Sequence, residues 1–481
     1  MISAQTTLRG RVTDNTGNPL PGVSVVIQGA SVQTFTESDG SYTLAVSAAN
    51  MKDAVIEFIY MGFKTERIPL AGKSTINIML TEDAAKLDEI IVVGYGTQKR
   101  ASVTGSVSQI SGKELLKAPV GNITNLLGGR ITGVTSLQQS GQPGADAASI
   151  IVRGSGAKYI VDGVQRSLAE LDPNEIETIS VLKDAASAAV YGLDANAVII
   201  ITTKRGGSKD SKISYSGTYG ISSNAVMLQL LDGPGYAYWY NKARVMDGDT
   251  PVFTSSHIAM MQNNDPADGW GNTNWYKETF GVGTSMSHNV NSSGGNERIK
   301  YFTSLGIYDQ SGNVRGFDYK RYNVRSNIDA KIAKNLNLTF DLSARMEDRL
   351  TPGYGSNPDD WNNIPQQAMR AHPYVPMYID GIPVSTRTAS SYVSPIAASD
   401  LTGYKKSKTT TLQSNFTLKY DVPGIKGLNV KFLGAYDLSY YTSKGFSTPY
   451  QTYVATAPTA ATTNIAYSLV TDARGTTASL V

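Results

Sequence analysis

The chain has no cysteine. Disulfides, thiolate metal sites, cysteine nucleophiles and a lipid-modified N-terminal cysteine are therefore excluded. Histidine is scarce as well: His257, His288 and His372 lie far apart, in no metal-ligand spacing. No G-x-S-x-G occurs. Ala71-Gly72-Lys73-Ser74-Thr75 ends like a phosphate-binding loop, but Arg67 stands where the first glycine belongs. Gly94-Tyr95-Gly96 and Gly154-Ser155-Gly156 lack the third glycine of a dinucleotide fingerprint. No catalytic, metal or cofactor constellation is legible, so an enzyme is not expected. An excess of charge of one sign is also missing. Against 43 basic residues stand 40 acidic ones in 481, a net of +3, which argues against a nucleic-acid binder. No window reaches the roughly 18 apolar residues of a membrane helix. The N-terminus, MISAQTTLRG, has neither a charged segment nor an apolar one, although Ser3-Ala4 before Gln5 would suit the end of a removed secretory signal.

Glycine (46) and tyrosine (27) are abundant and charge is low at 17%. That leaves a soluble all-β protein or a β-barrel membrane protein whose strands are apolar on one face only. Three zones follow. In residues 6–81, short strand-like runs such as Val23-Ser24-Val25-Val26-Ile27 and Val55-Ile56-Glu57-Phe58 alternate with turn clusters DNTGNPLPG (14–22), ESDG (37–40) and LAGKS (70–74). Their even spacing predicts an immunoglobulin-like β-sandwich. Residues 101–207, after a linker at 82–100, read as mixed α/β. Short helices are expected in 113–119 and 122–131, with a further one beginning near Pro173. Strands are expected at 150–154, 159–165 with a hairpin turn at Asp162-Gly163, 178–182 and 197–207.

From 208 to 481 the pattern becomes long amphipathic strands, at 213–221, 284–293, 299–308, 322–332, 336–346, 412–422 and 428–440. Parity is the informative test: Leu336, Leu338, Phe340, Leu342, Ala344 and Met346 alternate with polar residues, as do Leu428, Val430, Phe432, Tyr436, Leu438 and Tyr440. Each run is about ten residues, enough to cross a hydrocarbon layer at a tilt. Short connections (293–297, 333–335, 423–427) alternate with longer ones (222–283, 309–321, 347–411), as in a barrel with tight turns on one membrane face. An eighth strand is expected at 463–470.

Two stretches invite a functional reading. In LDEIIVVGYGTQKR (87–100), the β-branched run Ile90 to Val93 reads as a strand with no hairpin partner beside it. It would either dock as a last edge strand on the preceding sandwich or pair with another chain. In the connection 232–276, Tyr236, Trp239, Trp270 and Trp275 are candidates for stacking on a ligand or meeting a partner. An interfacial girdle or a loop core is the alternative.

The motifs resemble the N-terminal half of a SusC/RagA-type TonB-linked outer-membrane transporter of Bacteroidota. GRVTDNTGNPLPGVSVVIQGA (10–30) with ESDGSYTL (37–44) and YMGFKTERI (60–68) is similar to the family's carboxypeptidase-regulatory-like domain. LDEIIVVGYGTQKR resembles its TonB box, which maps onto Asp88, Glu89, Ile90, Ile91, Val92, Val93, Gly94 and Tyr95. ASVTGSVSQI (101–110), LLGGRITGV (126–134), SGQPG (140–144), IIVRG (150–154), YIVDGV (159–164), LKDAASAAVYG (182–192) and AVIIITTKRGG (197–207) resemble the plug. Two departures stand out: a short loop after Arg153-Gly154, and Ala197 where the family commonly has glycine.

The resemblance implies a fold class that is mainly β: an immunoglobulin-like β-sandwich (6–81), a linker carrying the TonB box (82–100), an α/β plug (101–207) and the first strands of a large transmembrane antiparallel β-barrel (208–481). It implies TonB-dependent import of an oligosaccharide or peptide nutrient across the cell outer membrane, with the N-terminal domain and TonB box in the periplasm. The implied partners are the C-terminal domain of TonB in the TonB-ExbB-ExbD system, a SusD-like surface lipoprotein and outer-membrane lipid. In that frame the strand at 90–93 needs no partner in this chain, because TonB would supply one by β-augmentation. Large plugged barrels have about 22 strands, so seven or eight read as a truncated gene product or gene fragment that would not transport alone. The runner-up is a soluble or cell-surface β-rich adhesion or interaction protein.

Overall fold

The computed structural model describes residues 5–27, 33–47, 54–60, 63–81, 90–93, 96–99, 107–116, 121–168, 171–184, 188–192, 196–207, 210–353, 363–385, 394–425, 427–472 and 478–480. They fall into two compact units, 1–107 and 108–481.

In the first unit, β1 (Gln5–Thr13), β4 (Ser41–Ser47) and β7 (Ile78–Met79) form one sheet, ordered β4-β1-β7. The second sheet, β3-β2-β5-β6, contains β2 (Ser24–Ile27), β3 (Gln33–Phe35), β5 (Val55–Ile59) and β6 (Glu66–Pro69). Alternate residues of β2 and β5 point inward: Val25, Ile27, Ile56 and Phe58 join Leu8, Val12 and Leu44 in one apolar core. The turn clusters do what their composition implies, with Asp14 tying the 14–18 turn through bonds from the backbone of Thr16 and Asn18.

The run at 90–93 corrects an expectation. As β8 (Ile90–Val93) it pairs within the chain, antiparallel to β9 (Gly96–Lys99), with Val93 opposite Gly96 and Ile90 opposite Lys99. Among the described residues the pair is a separate two-stranded sheet and joins neither sheet of the sandwich.

The second unit begins with a five-stranded sheet, β10-β16-β17-β14-β15. It comprises β10 (Val107–Ser111), β14 (Lys158–Val161), β15 (Val164–Gln165), β16 (Ile176–Leu182) and β17 (Val198–Thr203). A second sheet holds β11 (Val134–Leu137), β12 (Ser149–Val152) and β13 (Ser155–Gly156). Asp162-Gly163 turns β14 into β15, and Arg153-Gly154 turns β12 into β13. All four residues have positive φ, as two-residue hairpins of this hand require. The helices are shorter than their sequence suggests: Gly112–Leu115, Thr124–Leu127 and a single 3-10 turn at Pro173–Glu175. Ile123, Leu127, Ile179, Val181, Ile199 and Ile201 centre the apolar core of this domain.

The third sheet has eight strands: β18 (Lys212–Ser222), β19 (Gly283–Gly295), β20 (Ile299–Ser311), β21 (Asp318–Ala333), β22 (Leu336–Pro352), β25 (Gly403–Asp421), β26 (Asn429–Ser447) and β29 (Ala478–Leu480), in that order. All seven runs expected from parity are in it, lengthened to between 11 and 19 residues. Lengthening reduces the connection expected at 309–321 to 312–317. The eighth strand is not the one expected. Residues 463–470 contribute instead to β28 (Tyr467–Asp472), in a separate sheet with β23 (Tyr378–Ile379), β24 (Ile382–Ser385) and β27 (Tyr450–Ala455). Short apolar alternation alone does not distinguish a spanning strand from a strand of a long connection.

The register shows why parity is decisive here. One cross-strand row reads Tyr215, Val290, Leu305, Val324, Ala344, Leu412, Leu438, and most of its large side chains are bare on the outer face. The adjacent row, on the other face, reads Ser216, Asn289, Gly306, Asn323, Arg345, Thr411, Ser439. Asn289, Asn323, Arg345 and Thr411 are buried. The sheet is apolar where it is exposed and polar where it is covered, the reverse of a water-soluble wall.

Candidate functional site

The polar face of the sheet is covered by the α/β domain of residues 108–207, and charge pairs hold the two together. From the wall, Arg325 on β21 sets its Nε 2.6 Å from Glu175 and its guanidinium 3.9 Å from Asp162. All three side chains are almost fully buried. From the domain, Arg205 reaches Asp329 at 3.0 Å and Asp341 at 2.8 Å. Arg166, just after β15, clasps both carboxylate oxygens of Asp437 on β26, at 2.9 and 2.6 Å, and donates to Asn415 at 3.0 Å. Each component thus lends arginines to the other's carboxylates.

Hairpin geometry positions these groups. Asp162, at the β14–β15 turn, accepts from the backbone N–H and hydroxyl of Thr203 at 3.0 and 2.7 Å, which locks the turn onto β17. Asn327 donates to the Thr203 hydroxyl and the Lys204 carbonyl, both at 2.8 Å. Burial pushes the Glu175 carboxyl above its ordinary range, and Arg325 pulls against that shift. Burial likewise lowers Lys204. Glycine allows the closest approach: a Cβ on Gly206 would lie 2.4 Å from the backbone of Tyr301. Parity of β21 was the available signal for this site, since Arg321, Asn323, Arg325 and Asn327 occupy the non-apolar phase. Their partners lie 100 to 300 positions away and are not readable from local pattern.

Of the readings open for the aromatic connection, Trp270 and Trp275 follow the loop-core one. Trp270 is 0% and Trp275 2% exposed, inside a core with Phe253, Met261, Tyr374 and Ile465. Their indole N–H groups donate to the carbonyls of Thr463 at 3.1 Å and His372 at 3.0 Å, and His257 stacks on Trp270 at 4.6 Å. The two tryptophans are therefore loop core, because they rivet three long connections together. Tyr236 is half-buried against Tyr240 and Phe253. Trp239 alone of the four is out in solvent, at 53%, with the Lys242 ammonium 5.0 Å from its ring. Beside this core lies a cavity of about 660 Å³, lined in part by Asp232, Tyr236, Asn272, Arg370 and His372.

Of the eight residues mapped onto the TonB box, Ile90, Ile91, Val92 and Val93 form β8. Asp88, Glu89, Gly94 and Tyr95 lie outside the described residues.

Comparison with known proteins follows this division. The family model of the TonB-dependent Receptor Plug Domain matches residues 99–199, and that of the CarboxypepD_reg-like domain matches 8–92. The TonB-dependent receptor SusC of Bacteroides thetaiotaomicron is 31% identical over 363 residues, covering 72% of this chain and 34% of SusC. The chain belongs to the SusC/RagA family of TonB-dependent receptors. Another relative, TonB-dependent receptor P26 of Formosa agariphila, is 31% identical over 357 residues, covering 71% of this chain and 34% of its own. Among solved structures, the RagAB peptide importer in its open-open state superposes with a TM-score of 0.61 at 25% identity, over 75% of this chain and 43% of that one. The chain spans about a third of the length of the curated relatives it matches. As a SusC/RagA receptor it is an outer-membrane protein and not an enzyme. The plug match, 99–199, takes in most of the α/β domain that covers the sheet's polar face, which is plug, and the eight-stranded sheet is barrel wall.

Proposed function

We propose that this chain supplies the energy-accepting part of a nutrient importer: the plug, the wall that holds it and the segment by which it is pulled. One observation carries the reading. The plug keeps an apolar core of its own, while its described contacts with the wall include a network of ion pairs and hydrogen bonds. A seam of this kind can open stepwise as water replaces each partner, whereas an apolar seam would expose its whole area at once. The plug itself can stay folded while it moves.

The pull enters through residues 88–95. Among the described residues β8 pairs with β9 alone, which leaves its other edge for a strand of the TonB C-terminal domain to add by β-augmentation. The backbone hydrogen bonds so formed grip along the strand and transmit force toward the plug. TonB draws its energy from the TonB-ExbB-ExbD system, and a SusD-like lipoprotein presents an oligosaccharide or peptide at the outer surface. In the intact receptor, deletion of 88–95 is expected to abolish uptake while outer-membrane insertion, measured by surface labelling, stays normal. Unimpaired uptake overturns the assignment.

A further inference from the structure

The outer face of the wall changes character at one level. Across β20, β21, β22, β25 and β26, the row Ile307, Tyr322, Met346, Thr410, Tyr440 is the last of the largely apolar band. Ten residues separate it from the Tyr420–Val430 row on β25 and β26. That is about 33 Å along a strand, or roughly 25 Å of membrane depth at the usual tilt. The next row on the side of the long connections is Asp309, Lys320, Asp348, Lys408, Thr442. Its charges neutralise one another, Lys320 on Asp309 at 2.9 Å and Lys408 on Asp348 at 3.5 Å.

One step further the balance fails. Lys406 and Lys444 stand directly opposite each other on β25 and β26, both exposed, with no carboxylate partner among the described residues. Like charges facing across a strand pair are destabilising unless something anionic lies between them. Asp318, in the same row, is separated from them by Leu350 on β22. Beyond the lysines, Tyr404 packs on Phe446 at 6.0 Å, and the Lys406 ammonium sits 5.1 Å from the Tyr404 ring. A depression of about 1020 Å³ on this face is lined by four lysines, Lys320, Lys406, Lys408 and Lys444, and by three carboxylates, Asp309, Asp318 and Asp348, of which Asp309 and Asp348 are already paired with Lys320 and Lys408.

We infer that Lys406 and Lys444 bind the phosphate of an anionic lipid in the outer leaflet. The lysines lie where headgroups begin, on the face of the long connections, which in barrels of this kind is the cell exterior. Tyr440, Tyr322 and Met346 continue below them as a surface for acyl chains. The commitment to lipid, rather than to a free anion, rests on the cationic pair standing on the same two strands as the apolar band, beyond it by the single neutralised row of Asp309, Lys320, Asp348 and Lys408. It is independent of the import reading, since it concerns the wall's outer face alone.

The test is native mass spectrometry of the intact receptor in detergent with phosphatidic acid, phosphatidylcholine or inorganic phosphate added. Wild-type receptor is expected to retain roughly ten-fold more phosphatidic acid than phosphatidylcholine. K406Q/K444Q is expected to lose that preference and K406R/K444R to keep it, with both variants unchanged in heat stability without lipid or slightly raised. Equal retention of the two lipids by wild type, or an unchanged preference in K406Q/K444Q, overturns the proposal. Displacement of phosphatidic acid by an equal concentration of inorganic phosphate also overturns it, by making the pair a simple anion site.

Discussion

The plug meets two environments, its own interior and the barrel wall, and they are built on opposite principles. Inside, Ile179, Val181, Ile199 and Ile201 pack without a charge among them. At the wall, Arg325, Glu175, Asp162, Arg205 and Asp341 carry the contact. An apolar core resists small openings because burial is cooperative and water gains nothing by entering. A charged seam is held by few, directional contacts, each of which water can take over once a gap forms. The difference teaches where a pull should act: between plug and wall, with the plug left intact.

The largest effect is expected at the seam's centre. Arg325→Ala leaves Glu175 and Asp162 buried without their cation and should destabilise the docked plug by about 3–5 kcal/mol. Urea unfolding of the detergent-solubilised receptor, followed by plug proteolysis, measures it. Replacing all three together, as R325M/E175L/D162N, is expected to be neutral or to stabilise by up to about 4 kcal/mol, because the desolvated charges vanish as a set. The same variant should nevertheless import more slowly, since an apolar seam opens less readily to water. Uptake at the wild-type rate with a stabler seam would break the proposed distinction between core and wall.

The aromatic connections allow a milder version of the same comparison. Trp270→Ala removes a fully buried ring and its bond to Thr463, so a loss of about 3–5 kcal/mol within the loop assembly is expected. Trp239→Ala at the surface should change stability by no more than about 0.5 kcal/mol. Any ligand or partner effect of Trp239→Ala is then a binding effect and can be read without correction for folding.

What could be read from sequence, and what could not, follows from the range of the interactions. Barrel strands were legible because period-two alternation over ten residues is a local signal with a global cause, one face in lipid and one in polar contact. The seam was not, because Arg166 meets Asp437 across 271 positions and Arg325 meets Glu175 across 150. The β8–β9 hairpin was missed because Gly96-Thr97-Gln98-Lys99 carries no apolar alternation, so its strand character comes only from pairing with Ile90–Val93. For the tryptophans a loop core was one of the open readings, and the sequence could not decide for it because the carbonyls that satisfy their N–H groups, at His372 and Thr463, belong to two other connections.

The smallest effect concerns charges that have no buried counterpart at all, in the N-terminal sandwich. Asp14 is held below the ordinary carboxylate range, first by the Thr16 hydroxyl and further by bonds from Asn18 and the Thr16 backbone. Asp39 is lowered by bonds from Ser41, side chain first and backbone second, with the charge of Arg11 adding to them. A carboxyl whose folded pKa lies below its unfolded value, about 3.9, binds its proton more readily in the unfolded chain. Its contribution is therefore fully present above that value and is lost as pH falls through the folded one. Residues 1–107, expressed alone, should keep a constant melting temperature down to about pH 5 and lose stability between there and about pH 2. Asp14→Asn should melt lower at neutral pH and show a shallower fall on acidification, because one titrating turn has been removed. Both carboxylates are fully solvated, so the drop should be modest beside that of Arg325→Ala, whose partners are sealed from water. A steeper acid loss in the sandwich than in the docked plug would reverse the order of the two regions.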